Sequence, residues 1–121
     1  MPERTDHDRV PEAGVSSEDR TTVFDLRVVV EAIEGRSVCG LKVGDYFEVR
    51  NSNELRLPAD RHFCIYALQA AMPLLPAKQR ELPPSDWLEQ DVHVCCPDPD
   101  ERVIMRIERT GMVTLATSDL T

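Results

Sequence analysis

The chain has 121 residues, of which 41% are hydrophobic and only 5% aromatic, which suits one domain with a largely aliphatic core. Its formal net charge of −8 argues against a nucleic-acid partner and against an anionic membrane surface, because both require a basic face. No apolar run reaches the roughly 20 residues of a membrane span, and the N-terminus lacks the apolar segment of a signal peptide. We therefore expect a cytoplasmic protein without membrane contact, whose thiols stay reduced.

The first part of the chain differs in composition from the rest. Residues 1–22 are rich in charged residues, serine and proline, and they cannot bury enough apolar surface to order themselves. The sequence therefore predicts a disordered N-terminal tail over 1–22, a single domain over 23–116 and a short C-terminal tail over 117–121.

Two segments of alternating polarity begin the domain. From Val23 to Ile33 every second side chain is apolar, which predicts a half-buried strand. Its inward face would carry Phe24, Leu26, Val28, Val30 and Ala32. A second strand is predicted over Tyr46–Arg50 with Phe47 and Val49 inward, followed by a brief returning strand at Leu55 and Leu57.

Helical spacing follows in the middle of the chain. Apolar residues recur at helical intervals from Arg61 to Met72, and Asp60 is a suitable N-cap residue. Pro73 is expected to kink or end this helix, and Pro76 marks the stop. Lys78 to Leu82 would form at most a short second helical turn.

The last part of the chain returns to alternation. Trp87 and Leu88 are expected to close the edge of the core, and strands are predicted over 91–96 and 103–109. The turn between these strands, Pro97 to Asp100, predicts a hairpin, while Met112–Ala116 is expected to add an edge strand or to trail off. This order favours an α+β fold, a small antiparallel sheet of four to five strands with one main helix packed on it.

The four cysteines are the most informative polar residues. Cys39 lies in a loop, Cys64 in the predicted first helical turn, and Cys95 and Cys96 end a strand. Adjacent strand residues point to opposite faces, and the alternation of Val92 and Val94 assigns Cys96 rather than Cys95 to the inward face.

The residues alone leave three interpretations of these cysteines open. Cys39, Cys64 and Cys96 could converge on one soft metal ion, zinc by default with copper or iron as alternatives, and His62 could complete a tetrahedral site. Cys64 could instead act alone as a reactive thiol, since a helix N-terminus favours the thiolate. All of them could also be buried residues that behave as small hydrophobes.

Three sequence blocks, taken together, resemble a family of short bacterial proteins of unknown function. The family pattern is C-x-x-G-H-K-V-G-D, then I-C-P-x-A, then C-P-D-P, and the matching segments here are Cys39–Asp45, Phe63–Leu68 and Cys96–Pro99. The resemblance implies that Cys39, Cys64 and Cys96 share one thiol or metal site. This chain has Leu41 and Ile65 where the family pattern has histidine and proline, and its first block is shorter by two residues.

Two functional hypotheses follow. The first is a small metal- or thiol-dependent protein with a three-cysteine site, in which Cys64 is the candidate catalytic nucleophile if the protein is an enzyme of a biosynthetic pathway. The alternative is a non-catalytic module that binds a protein partner or a small ligand and keeps its cysteines as buried structural residues. The sequence assigns no substrate and no oligomeric state.

Overall fold

The computed structural model describes residues 19–90 and 92–120, so that nearly all of the predicted N-terminal tail lies outside the described residues. Five strands form one antiparallel sheet in the order β3-β2-β1-β5-β4. The strands are β1 Arg20–Ile33, β2 Tyr46–Arg50, β3 Glu54–Arg56, β4 His93–Cys95 and β5 Val103–Ala116. The helical segment comprises α1 Ile65–Ala71, a 3₁₀ turn Met72–Leu74 and α2 Leu75–Lys78, and a last 3₁₀ turn covers Thr117–Asp119. The predicted α+β fold is confirmed.

The inward face of β1 forms the floor of the core. Leu26, Val28 and Val30 are fully buried there, as their alternation predicts. The register with β5 shifts at Glu31, so that Ile33 rather than Ala32 packs against the core. The prediction that Ala32 faces inward was therefore wrong, because a bulge adds one residue and reverses the alternation beyond it.

The pair formed by β1 and β5 is longer than the sequence predicted. β5 does not end near Arg109 but continues to Ala116, after a register shift between the pairs Leu26–Arg109 and Asp25–Gly111. β1 correspondingly begins at Arg20, within the segment 1–22, and its first residues pair with the end of β5.

The helical segment packs on the sheet and starts later than predicted. Asp60 has a φ of 60° and is not the N-cap, a position that Cys64 occupies without a side-chain hydrogen bond. α1 ends at Ala71 and Pro73 lies in the 3₁₀ turn that follows, in agreement with the prediction that this proline kinks or ends the helix. Pro76 does not stop the segment, because it lies in the first turn of α2, where a backbone N–H would have no acceptor within the helix. The predicted N-cap at Asp60 and the predicted helix stop at Pro76 were both wrong.

The core lies between this helical segment and the sheet. Ala67, Ala71 and Leu75 face the sheet, and the Phe47 and Phe63 rings meet edge to face with centroids 4.9 Å apart. Leu88 packs against this core, but Trp87 is 65% exposed, so its predicted place at the core edge was wrong. No helix among the described residues is long and apolar enough to cross a membrane.

The loop after β1 is fixed against the turn that joins β4 to β5. Backbone N–H groups of Glu34, Gly35 and Arg36 donate to carbonyl oxygens of Arg102, Glu101 and Asp100, at 3.1, 2.9 and 3.0 Å. Those two strands are paired as the predicted hairpin. The consequence is that the loop carrying Cys39 lies directly beside the turn carrying Glu101.

Candidate thiol site

The three cysteines of the predicted site border the same hydrophobic core. Cys96 is buried within it, and Cys39 and Cys64 pack against it half-buried. The strand alternation that assigned Cys96 to the inward side is confirmed, since Val92 is buried there as well and Cys95 is exposed. The cysteines differ, however, in what their sulfur atoms contact.

Cys39 and Cys64 form a pair of interacting thiols. Burial raises the pKa of the Cys39 thiol, and hydrogen bonds with the Glu101 carboxylate and with the Cys64 thiol raise it further. Cys39 comes from the loop after β1 and Cys64 from the start of α1, so tertiary packing brings together two thiols that are distant in sequence. At neutral pH Cys39 is therefore held in the thiol form.

Glu101 is a charged group that contacts Cys39. Its side chain is only 5% exposed, and one carboxylate oxygen, Oε2, accepts the backbone N–H of Cys39 at 2.8 Å together with that of Val38. The N–H of Cys39 is the main reason that the pKa of Glu101 lies below its ordinary value, and the Val38 N–H and Cys39 thiol contribute as well. Glu101 is thus ionised at neutral pH and fixes the backbone of the Cys39 loop.

His62 lies next to the pair but is bound to the backbone. Its Nε2 is 2.9 Å from the Cys39 carbonyl oxygen, and the imidazole is exposed. The ring also lies over Gly40, whose φ of 83° suits glycine and whose missing Cβ would come within 3.4 Å of Nε2. The contact of His62 is therefore with the Cys39 carbonyl oxygen, and its predicted role as a fourth metal ligand stays a prediction.

Cys96 has partners of its own. Its Sγ accepts the backbone N–H of Val103 at 3.3 Å, and its S–H is directed at the Asp98 carbonyl oxygen at 3.8 Å. These contacts bridge the hairpin between β4 and β5, which is a structural use of a buried thiol. The neighbouring Cys95 thiol has a raised pKa, caused by partial burial and by Cys96.

Among residues 19–90 and 92–120, no three His, Cys, Asp or Glu side chains are grouped so that they could hold a metal ion. Zinc coordination by Cys39, Cys64 and Cys96, with His62 as a fourth ligand, stays a prediction. Within the predicted set, the arrangement brings two thiols together and gives the third separate hydrogen bonds.

Sequence reasoning missed Glu101. It follows the turn Pro97 to Asp100, where several acidic residues look alike, and no local pattern distinguishes the one that is buried. Its partners Val38 and Cys39 lie more than 60 positions earlier in the chain. Only the pairing of the loop after β1 with this turn identifies it.

Comparisons of the chain with protein-family models, with curated proteins and with solved structures found no significant match.

Proposed function

We propose that this protein acts through a reversible dithiol formed by Cys39 and Cys64, which exchanges with a disulfide of a small molecule or a protein. The observation that supports this proposal best is that both thiols border the same core, where Cys64 contributes to the raised pKa of Cys39. Two thiols held together by tertiary packing can close to a disulfide without a large loss of chain entropy, which favours the exchange reaction.

The exchange takes place in two steps. The Cys64 thiolate attacks one sulfur of the substrate disulfide, forms a mixed disulfide with it and releases the other sulfur as a thiolate, which takes a proton from water. Cys39 then loses its proton to water and attacks the Cys64 sulfur, so that the Cys39–Cys64 disulfide forms and the second substrate thiolate leaves. The Cys64 thiol also gives a proton to water when it ionises before the first step, and the second substrate thiolate takes a proton from water, so that the protein loses two electrons and two protons in all and the substrate gains them.

The environment of Cys39 indicates which of the two thiols attacks the substrate disulfide first. The pKa of Cys39 is raised by burial, by Glu101 and by Cys64, so that little of it is thiolate at neutral pH. Cys64 is half-buried at the N-cap of α1. Cys64 is therefore the attacking thiol and Cys39 the one that closes the disulfide.

The most direct test equilibrates the reduced protein with buffers of reduced and oxidised glutathione, traps free thiols by alkylation and locates disulfides by peptide mass spectrometry. We expect one intramolecular disulfide, Cys39–Cys64, and a stable mixed disulfide at Cys64 in the Cys39→Ser variant. Cys95→Ser is the matched control, because Cys95 is exposed and lies outside the pair, and it should leave this disulfide unchanged. Absence of the Cys39–Cys64 disulfide at every buffer ratio would refute the proposal.

The same thiols could serve as ligands of a soft metal ion, and Cys96 in the same core favours this second candidate. Binding would require Cys96 to exchange its contacts with Val103 and Asp98 for the metal. Elemental analysis of protein purified without chelators tests it. Stoichiometric zinc, copper or iron that is lost in Cys96→Ser would support a three-cysteine metal site, whereas metal-free protein with a Cys39–Cys64 disulfide would support the dithiol.

A further inference from the structure

β5 extends beyond the rest of the sheet. β4 pairs only with Ile104–Arg106 of β5. Two further backbone bonds flank these pairs, from the Cys96 N–H to the Val103 carbonyl oxygen at 3.0 Å and from the Ile107 N–H to the Val92 carbonyl oxygen at 3.2 Å. Residues 111–116 of β5 pair with β1 on one side. Within residues 19–90 and 92–120, no strand pairs with the other side of this segment.

The direction of the backbone groups on this open edge follows from the pairing. The Phe24 N–H bonds to the Gln79 carbonyl oxygen at 2.9 Å and hence points away from β5. Phe24 lies opposite Met112, and in an antiparallel pair both opposed residues then turn their N–H and C=O groups outward. The two-residue repeat of a strand adds Thr114 and Ala116, which leaves a ladder of three residues whose backbone groups face outward.

The side chains of this segment do not protect the edge. Natural proteins usually place charges or proline on an open strand edge, since they prevent pairing with another chain. Here no residue from Thr110 to Ser118 is ionisable or a proline, although charged residues make up 30% of the chain. Two copies, each with a formal net charge of −8, can therefore approach along this strip without placing like charges opposite each other.

We propose that a second copy of this chain pairs with the open edge of β5, antiparallel, about a two-fold axis at Thr114. Thr114 then lies opposite the partner subunit's Thr114, and Met112 lies opposite the partner subunit's Ala116. The outward groups match each other in this register, because equal spacing on either side of Thr114 makes the strip self-complementary. The two sheets become one continuous antiparallel sheet, independently of any chemistry at the thiol site.

The interface is small. A single pair of short strands buries less than the roughly 1,600 Å² of a standard protein interface. Met112, which is 63% exposed, adds apolar area to the backbone bonds. A concentration-dependent dimer with a dissociation constant on the order of micromolar is expected, rather than a permanent one.

Sedimentation velocity of the full chain over a concentration series measures dimerisation and tests this proposal. The variants carry charges at Thr114, at the two-fold axis. Thr114→Lys and Thr114→Glu each place like charges opposite each other across the two-fold axis, so each variant alone should be at least tenfold weaker in dimerisation. An equal mixture of the two should regain a dimer, because lysine then faces glutamate. Thr22→Lys is the control, since Thr22 is exposed beside Thr114 but belongs to β1 and is not on the edge. Circular dichroism verifies that each variant is folded.

Each outcome of the design decides the matter. A concentration-dependent dimer that both Thr114 variants weaken and their mixture restores supports the two-fold pairing at Thr114. A monomer at all concentrations overturns the proposal, and so does a dimer that neither Thr114 variant weakens. A mixture that fails to dimerise while both variants are folded overturns the register.

Discussion

The buried carboxylate of Glu101 is the contact that most directly holds the Cys39 loop, and its removal has a calculable effect. Glu101→Ala deprives the N–H groups of Val38 and Cys39 of their common acceptor. A hydrogen bond to a charged acceptor contributes about 1.5–3 kcal/mol. Water can replace part of the lost hydrogen bond at the Val38 N–H, because Val38 is 62% exposed. We therefore expect a loss of about 3 kcal/mol in the free energy of unfolding.

Urea denaturation measures this loss. With a slope of about 2 kcal/mol per molar urea, the midpoint of Glu101→Ala should fall by about 1.5 M. Glu101→Gln should lose only about 1 kcal/mol, because both N–H groups donate to the same oxygen and an amide oxygen can replace it.

Glu108→Ala is the control for this measurement. Glu108 is 32% exposed and pairs with Arg106 at 2.5 Å, so its removal should cost less than about 1 kcal/mol. Equal midpoints for Glu101→Ala and Glu101→Gln, or an effect of Glu101→Ala no larger than that of the control, would refute the reasoning about the shared acceptor.

Two further predictions concern the packing and the charges around the same elements. Gly35→Ala should lower the free energy of unfolding, measured by thermal unfolding, by about 3 kcal/mol, because the added Cβ would lie 1.9 Å from the Asp100 carbonyl oxygen. Gly111→Ala is the control and should change the free energy of unfolding little, because no atom lies within 4 Å of the Cβ position there. Hydrogen bonds from Arg109, the largest cause, and from the Leu82 N–H lower the pKa of Glu89 from 4.5 to about 2. A lowered folded-state pKa stabilises the protein above the unfolded value and loses that contribution as the pH falls toward the folded value. Glu89→Gln should therefore flatten the decline of the melting temperature between pH 4.5 and about 2, and an unchanged decline would contradict the assignment.

The strands were predictable because the alternation of apolar and polar side chains is a local property of the sequence. The prediction of inward-facing residues failed where a bulge adds a residue to the strand. Val28 and Val30 face inward as their spacing indicates, but the register shift beside Glu31 reverses the face of Ala32. The second shift, near Gly111, hides the continuation of β5 in the same way. Neither bulge leaves a pattern in the sequence that differs from the end of a strand.

The helix boundaries depended on context that the sequence does not display. Asp60 has the chemistry of an N-cap, yet its positive φ places it in a turn before the helix. The two prolines are compatible with a continuing helical segment only because it restarts at Met72 and at Leu75.

The candidate site was predictable in part. Cysteines at the ends of elements pointed to Cys39 and Cys64, which the fold brings together. The position of the Cys39 loop and the raised pKa of Cys39 nevertheless depend in part on Glu101, which lies 62 positions later in the chain. A single sequence contains no signal for such a long-range contact, since the acidic residues around it are typical of a turn.

The measurement that tests the central claim most directly is the location of disulfides in the full chain after equilibration with a glutathione redox buffer. The proposed dithiol predicts one disulfide, between Cys39 and Cys64, whose fraction rises with the oxidised share of the buffer and which Cys95→Ser leaves intact. Four thiols that stay reduced in every buffer, or a disulfide that joins Cys64 to a residue other than Cys39, would contradict it.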